Sequence, residues 1–278
     1  MRNELKILWG IFFLNLIIVF INLFGEYLGL RFSKGNLINF LVMAFPIILL
    51  IVHSFWTLSF SRGIFFILLA SSIGFVAEFL GLNYGVIFGG QYVYLPSDLS
   101  VFNVPLSVII FWAVFTYTGY CIVTSFLYWL GKDKPNIYNK KISLLPFIII
   151  ADGFVVLAID LFMDPIQVKT GGWTWLDGGQ YFNIPTGNFV GWLVVAMIIV
   201  SIFRLFEYFF PKKGSLTESH KSALMIPVIG YGLMAFSFAF SAIELRMNNL
   251  VIVGLLVMLP TVIINIILRK LYLYKHKE

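Results

Sequence analysis

Long apolar runs recur along this chain, each broken by a short polar or glycine-bearing stretch. A run of about 20 apolar residues spans a bilayer as a helix. The pattern predicts eight spans, near residues 5–25, 36–57, 63–80, 104–130, 143–163, 186–207, 222–243 and 249–272. The expected fold class is all-α: a polytopic integral membrane protein, with residues 1–278 forming a single transmembrane domain.

Composition agrees with the pattern. Sixty per cent of the residues are hydrophobic and 12% are charged, where a soluble domain carries about 25% charged residues. The mean hydropathy is +0.95. Thirty phenylalanines suit a lipid-facing surface. The first apolar run follows basic residues but lacks a small-residue cleavage signal, so it reads as a retained first helix.

The formal net charge of +6 does not point to nucleic acid, because the basic residues sit in clusters between apolar runs. Arg2, Lys6, Arg62, Lys132, Lys134, Lys140, Lys141, Lys212, Lys213, Lys221, Arg269, Lys270, Lys275 and Lys277 fall on one side if the spans number eight. Arg31, Lys34, Lys169 and Arg246 fall on the other. The majority places both termini in the cytoplasm of a multi-pass cell-membrane protein. A single cysteine, Cys121, excludes an intrachain disulfide and a cysteine metal cluster, and it reads as a small buried side chain.

Two connections between spans, 81–103 and 165–183, are too long for turns and rich in glycine and aromatic residues. Backbone of this kind near a membrane must be buried in protein or line a cavity. Singly, their Trp and Tyr residues suit an aromatic belt at the interface. Together they repeat. Gly-Gly-Gln-Tyr occurs at 89–92 and at 178–181. After the first come Asn103-Val104-Pro105 and Trp112; after the second come Asn183-Ile184-Pro185 and Trp192. Each tryptophan stands seven residues past its proline. Each turn also follows an acid-bearing helix, with Glu78 in the first and Asp160 and Asp164 in the second. Spans three-four and five-six therefore read as a parallel repeat of one helix–acid–turn–Pro–helix unit. Parallel repeats commonly place a site at their shared interface.

Carboxylates within spans are costly in lipid and mark the bundle interior. Asp160 and Asp164 are one turn apart and share a face. Asp152 lies about two turns deeper and is rotated away. The Asp164-Pro165 pair predicts the end of the fifth helix. Glu26 and Glu244, at span ends, need no more than headgroup-level solvation. Glu207 stands three residues from Arg204 and suits a cytoplasmic-edge pair. His53 is the one histidine inside a span; it offers no metal constellation and suits polar packing. Asp160-x-x-x-Asp164 is also similar to the acidic motifs of membrane prenyltransferases. That chemistry needs a second acidic cluster and bases for the diphosphate, and the outer connections carry neither.

A larger set of residues resembles a different family. Glu78-x-x-Gly81, Gly85, Phe88-Gly89, Tyr92-x-Tyr94, Val104-Pro105 and Trp112 resemble the membrane carotenoid-biosynthesis hydratases. So do Asp160-x-x-x-Asp164-Pro165, Gly172-Trp173-x-Trp175, Gly178-Gly179-x-Tyr181, Ile184-Pro185, Asn188 and Gly191-Trp192. These enzymes hydrate γ-carotene at C-1′ or bisanhydrobacterioruberin at its ends. The resemblance covers residues 74–204, and its second block is the more specific. The chain departs from the tighter Phe-Gly-x-Tyr-x-Tyr of the family by one residue at Gly90-Gln91.

The resemblance implies a hydro-lyase that needs no cofactor or metal. Its partners would be a lipid-soluble acyclic carotenoid and the membrane lipids. The terminal isopropylidene alkene would be protonated and the tertiary cation captured by water. Glu78, Asp160 and Asp164 are then the candidate catalytic acids, with either Glu78 or Asp160 as proton donor. Tyr92, Tyr94, Trp112, Trp173, Trp175, Tyr181, Asn188 and Trp192 are the candidate substrate-binding residues. Two other functions fit the residues: a small-solute or proton-coupled transporter that moves the repeat, and a carotenoid- or lipid-binding protein without catalysis.

Overall fold

A computed structural model describes residues 3–30, 36–97, 99–130, 142–211 and 222–275. Eight helices in it are long and apolar enough to cross a membrane. They are α1 (Asn3–Phe24), α2 (Asn36–Thr57), α3 (Phe60–Tyr84), α4 (Leu106–Trp129), α5 (Leu145–Thr170), α6 (Thr186–Phe209), α7 (Met225–Glu244) and α8 (Asn248–Lys275). The protein is an all-α polytopic membrane protein. Arg2, Arg31, Lys34, Lys132, Lys134, Lys140, Lys141, Lys212, Lys213, Lys221 and Lys277, which carry most of the orientation argument, lie outside the described residues.

Consecutive helices pack as antiparallel pairs, and α4 sits at the centre, against α2, α3, α5, α6, α7 and α8. It is apolar nearly all round, which is the pattern of a buried helix. Its buried side chains include Trp112, Phe115, Tyr117, Tyr120 and Cys121. Asp152 on α5 pairs with the fully buried Arg204 on α6, whose Nη2 lies 2.6 Å from Asp152 Oδ1. The Arg204 guanidinium also stacks over Tyr120, 4.5 Å from its ring centroid. Arg204 is therefore buried within the bundle, with Asp152 as an ion-pair partner. Glu207 accepts from Tyr120 Oη at 2.9 Å.

The two long connections meet at one end of the bundle, here the outer end. The first carries strand β1 (Tyr92–Tyr94), and the second carries β4 (Trp173–Trp175). These pair antiparallel in the register Tyr92↔Trp175, Val93↔Thr174 and Tyr94↔Trp173. Leu95 N to Gly172 O and Leu176 N to Gln91 O, both 2.9 Å, extend the pairing. The pairing thus satisfies backbone polar groups from both connections, as irregular backbone near a membrane requires. Between β1 and α4, strands β2 (Ser100–Val101) and β3 (Val104–Pro105) form a hairpin.

Backbone angles confirm that the two connections are copies. Phe102 and Asn103 have φ of 49° and 66°; Phe182 and Asn183 have 50° and 67°. Two successive positive φ values make the primed hairpin turn that asparagine tolerates. The turns bridge Val101 to Val104 and Tyr181 to Ile184. Pro105 and Pro185, with φ of −60° and −64°, then open α4 and α6 from the residue just before each helix. At the other end of each connection a left-handed glycine, Gly85 or Gly171, caps α3 or α5. Glu78 and Asp164 each stand seven residues before that cap.

The antiparallel β1–β4 register relates the copies by an approximate two-fold in which Tyr92-Val93-Tyr94 matches Trp173-Thr174-Trp175. The repeat is therefore real, but the Gly-Gly-Gln-Tyr identity does not mark its register. The first tetrapeptide runs into β1, whereas the second follows β4 and runs into the hairpin turn. Structurally, Tyr181 matches Val101 and not Tyr92.

One expected boundary also shifts. Helix α5 does not stop at Asp164 but continues through Pro165 to Thr170. A proline inside a helix leaves the carbonyl four residues earlier without its donor. Here that carbonyl is Leu161 O, and Tyr181 Oη donates to it at 3.0 Å. The substitute bond lets the helix run on, with both aspartates held on helical backbone.

Candidate active site

Glu78 is buried near the outer end of α3, where three donors converge on it. Tyr92 Oη donates to Oε2 at 2.5 Å, Tyr94 Oη to the same oxygen at 2.7 Å, and Trp112 Nε1 to Oε1 at 2.9 Å. Gly81, one turn on, makes room for this. A Cβ there would lie 2.7 Å from both Tyr92 Oη and Phe88. Burial raises the pKa of both tyrosines, and the adjacent Glu78 carboxylate raises them further. They therefore remain neutral donors.

The second copy builds its acid site differently. Asn188, near the start of α6, places its single amide nitrogen between two carboxyls. Nδ2 donates to Asp164 Oδ2 at 2.7 Å and to Asp160 Oδ2 at 3.0 Å. Trp173 Nε1 donates to Asp164 Oδ1. The other oxygen of Asp160, Oδ1, is buried and has no hydrogen-bond partner. Trp173 stands to Asp164 as its two-fold mate Tyr92 stands to Glu78.

Rings close the space between the acids. Tyr92 lies 4.7 Å from Trp175, and Tyr94 lies 5.6 Å from Trp173, centroid to centroid. Backbone contact locks the first connection onto the start of α6, since a Cβ on Gly89 would sit 2.7 Å from the Cα of Gly187.

A cavity of about 750 Å³ opens from this cluster. Glu78, Asp164, Asn188, Tyr92, Tyr94, Trp112, Trp173, Trp175 and Trp192 all line it. Asp160 and Tyr181 are not on its wall; Asp160 lies behind Asn188, and the Tyr181 hydroxyl is engaged by the α5 backbone. Burial pushes the Tyr181 phenol up to about 12, so it too stays a donor.

From the acids the cavity does not run between the two copies. It follows α4 from Ser107 to Thr118, about 16 Å of helix, between that helix and α1, α2 and α7. Its walls there are mostly apolar, among them Phe12, Val42, Pro46, Leu50, Phe111, Phe115, Ile226 and Phe238. Lining residues Met43 and Leu95 are 44% and 65% exposed, so the space reaches the surface of the bundle.

The motif-bearing segment 74–204 gives no hint of the α1, α2 and α7 walls. Asn15 in the middle of α1 and His53 in α2 line the same cavity, and a polar residue inside an apolar span is the signal that could have found them. His53 Nδ1 lies 2.8 Å from Tyr117 Oη, and Nε2 lies 3.1 Å from Ala223 O. The carbonyl can only accept, which puts the ring hydrogen on Nε2 and makes Nδ1 the acceptor. This is a packing role for the histidine. Glu26 and Glu244 are exposed at helix ends, away from the cavity. Among the described residues, no three His, Cys, Asp or Glu side chains are grouped as a metal site.

No curated protein and no solved structure matches the chain. A family model described as carotenoid biosynthesis protein matches residues 38–262, a span that holds every cavity-lining residue except those of α1. The chain belongs to the carotenoid biosynthesis protein family.

Proposed function

We propose that this protein hydrates the terminal isopropylidene double bond of an acyclic carotenoid to a tertiary alcohol. The observation that carries the reading is the placement of Glu78 and Asp164, from two copies of one unit, on the wall of one aromatic-lined cavity that continues as an apolar channel. Membership of a carotenoid biosynthesis family supports a polyene as the occupant. An apolar cavity that reaches the bundle surface suits a substrate that never leaves the bilayer.

The roles follow from the hydrogen bonds. An ionised carboxylate is an acceptor only, and Glu78, with three donors on it, is built as the anion. Asp160 and Asp164 share one amide, and two carboxyls sharing one site hold a proton between them. Asp164 presents that proton to the cavity. Transfer to the alkene carbon nearer the chain leaves a tertiary cation at the branched carbon. Glu78 and the faces of Tyr94, Trp173 and Trp192 stabilise it, each aromatic face contributing about 2 kcal/mol when desolvated. Water adds through oxygen, and the resulting oxonium returns one proton to the aspartate pair. The acids end as they began, and the net change is one water added across one double bond. No step needs a redox partner.

Eight crossings put the described ends of α1 and α8 on the same side. With the basic residues between spans, this supports a cell-membrane protein with both termini cytoplasmic. The test of function is expression in cells that accumulate an acyclic carotenoid. The expected product is heavier by one water and takes its oxygen from labelled water. Unchanged carotenoid at high protein levels would overturn the reading.

A further inference from the structure

Among the described residues, Trp175 carries the one cavity-lining indole whose N–H is buried and unspent. Its ring is 6% exposed and lies on the cavity wall beside Tyr92. Its Nε1 has no hydrogen-bond partner. The neighbouring indoles of Trp112 and Trp173 donate to Glu78 and Asp164. A buried donor without an acceptor costs about 1–3 kcal/mol, so one left inside a site calls for a ligand that accepts.

The repeat sharpens this. The two-fold mate of Trp175 is Tyr94, whose hydroxyl donates to the acid of its own copy, Glu78. In the second copy the matching acid, Asp164, is already held by Trp173 and Asn188. The donor at position 175 is thus left over from a symmetric arrangement, on a ring that lines the cavity. A hydrocarbon chain and a carbocation accept no hydrogen bond. Within the proposed reaction, the acceptors are the oxygen of water and of the tertiary alcohol it becomes.

We infer that Trp175 positions the attacking water: its Nε1–H binds one lone pair of the water oxygen and leaves the other directed at the cation. The inference rests on the proposed hydration. The water oxygen forms the new C–O bond, and one of its protons passes to the aspartate pair. Trp175 itself neither gains nor loses a proton.

The experiment is the reaction run in membranes in heavy water. When capture is slow, the cation loses a proton and reverts to alkene, so deuterium enters unreacted carotenoid without hydration. Two variants remove the N–H: Trp175→Phe, and replacement of Trp175 by benzothienylalanine, which keeps the ring shape and substitutes sulfur for the N–H. Both should lower hydration roughly tenfold, the worth of one hydrogen bond, while deuterium in recovered substrate persists or rises. Unchanged hydration in the benzothienylalanine protein overturns the inference. Parallel loss of hydration and deuterium exchange in that protein also overturns it, because the ring then matters for packing or protonation. Failure of the proposed function reads differently: the unmodified protein itself gives no hydrated product.

Discussion

Trp112 and Trp192 stack across the seam between α4 and α6, with ring centroids 4.2 Å apart and planes 22° from parallel. Each stands seven residues past the proline that opens its helix, so one position of the repeat meets its own copy. Trp112 also donates to Glu78, which ties the seam to the acid site. Opposite it, a Cβ on Gly74 would lie 2.3 Å from Trp112 Cγ.

Gly74→Ala should therefore push the Trp112 indole off both Trp192 and Glu78. Overpacking of this kind costs about 1–3 kcal/mol. The expected result is a lower unfolding temperature in detergent and a matching loss of hydration. An unchanged melting profile would mean that the seam yields freely.

Glu78→Gln and Asp164→Asn keep shape while removing the proposed anion or the proposed donor. Each should cut hydration by ~100-fold, the size typical of positioned acid–base groups. Glu26→Gln and Glu244→Gln should leave it intact. Product formed at matched protein levels decides the matter. A dead Glu26→Gln beside active Glu78→Gln would place the site on other helices.

At Trp173 the face and the N–H can be separated. Trp173→Phe loses the bond to Asp164 but keeps a π surface; Trp173→Leu loses both. Activity should fall in the order Trp, Phe, Leu, because an aliphatic chain does not attract a cation. Equal activity of the two variants would remove the aromatic face from the mechanism.

Tyr181→Phe should act on the helix and not on the chemistry. It withdraws the donor that replaces the missing N–H of Pro165, leaving Leu161 O without a partner at a cost of about 1–3 kcal/mol. The expected signature is a lower melting temperature with substrate preference unchanged. A change in which carotenoid is accepted would put Tyr181 on the substrate path after all.

The Arg204–Asp152 pair should show the asymmetry of buried charges. Arg204→Leu alone strands the Asp152 carboxylate and should destabilise the protein by about 3–5 kcal/mol. Adding Asp152→Leu should recover much of that, because apolar replacement of both partners is often neutral. Thermal unfolding of the single and double variants tests this, and additive losses would contradict it.

How much of this was legible beforehand differs by element. Eight spans, the buried acids and the two copies were visible, because membrane solvent enforces long apolar runs and makes each internal carboxylate conspicuous. The literal Gly-Gly-Gln-Tyr match misled about register, since four shared letters carry no information on which strand they enter. Asp164-Pro165 reads locally as a helix stop. Only a tyrosine sixteen residues beyond the proline, folded back onto Leu161, shows why the helix continues.

Asp160 and Asp164 share a face by helical spacing alone, and the sequence was enough to say so. That Asn188 bridges them, and that Asp164 and not Asp160 reaches the cavity, depends on how α6 docks against α5. Likewise the acids themselves can be read from residues 74–204, but the channel leading from them cannot. It is walled by Asn15, Pro46, Tyr231 and their neighbours on α1, α2 and α7, helices whose sequences are apolar apart from single polar residues such as Asn15 and His53. Local pattern determines which segments cross the membrane and where a carboxylate must turn inward, because each of those is settled by one helix against its solvent. Which faces enclose a cavity is settled by several helices packing at once, and that information exists only in the assembled bundle.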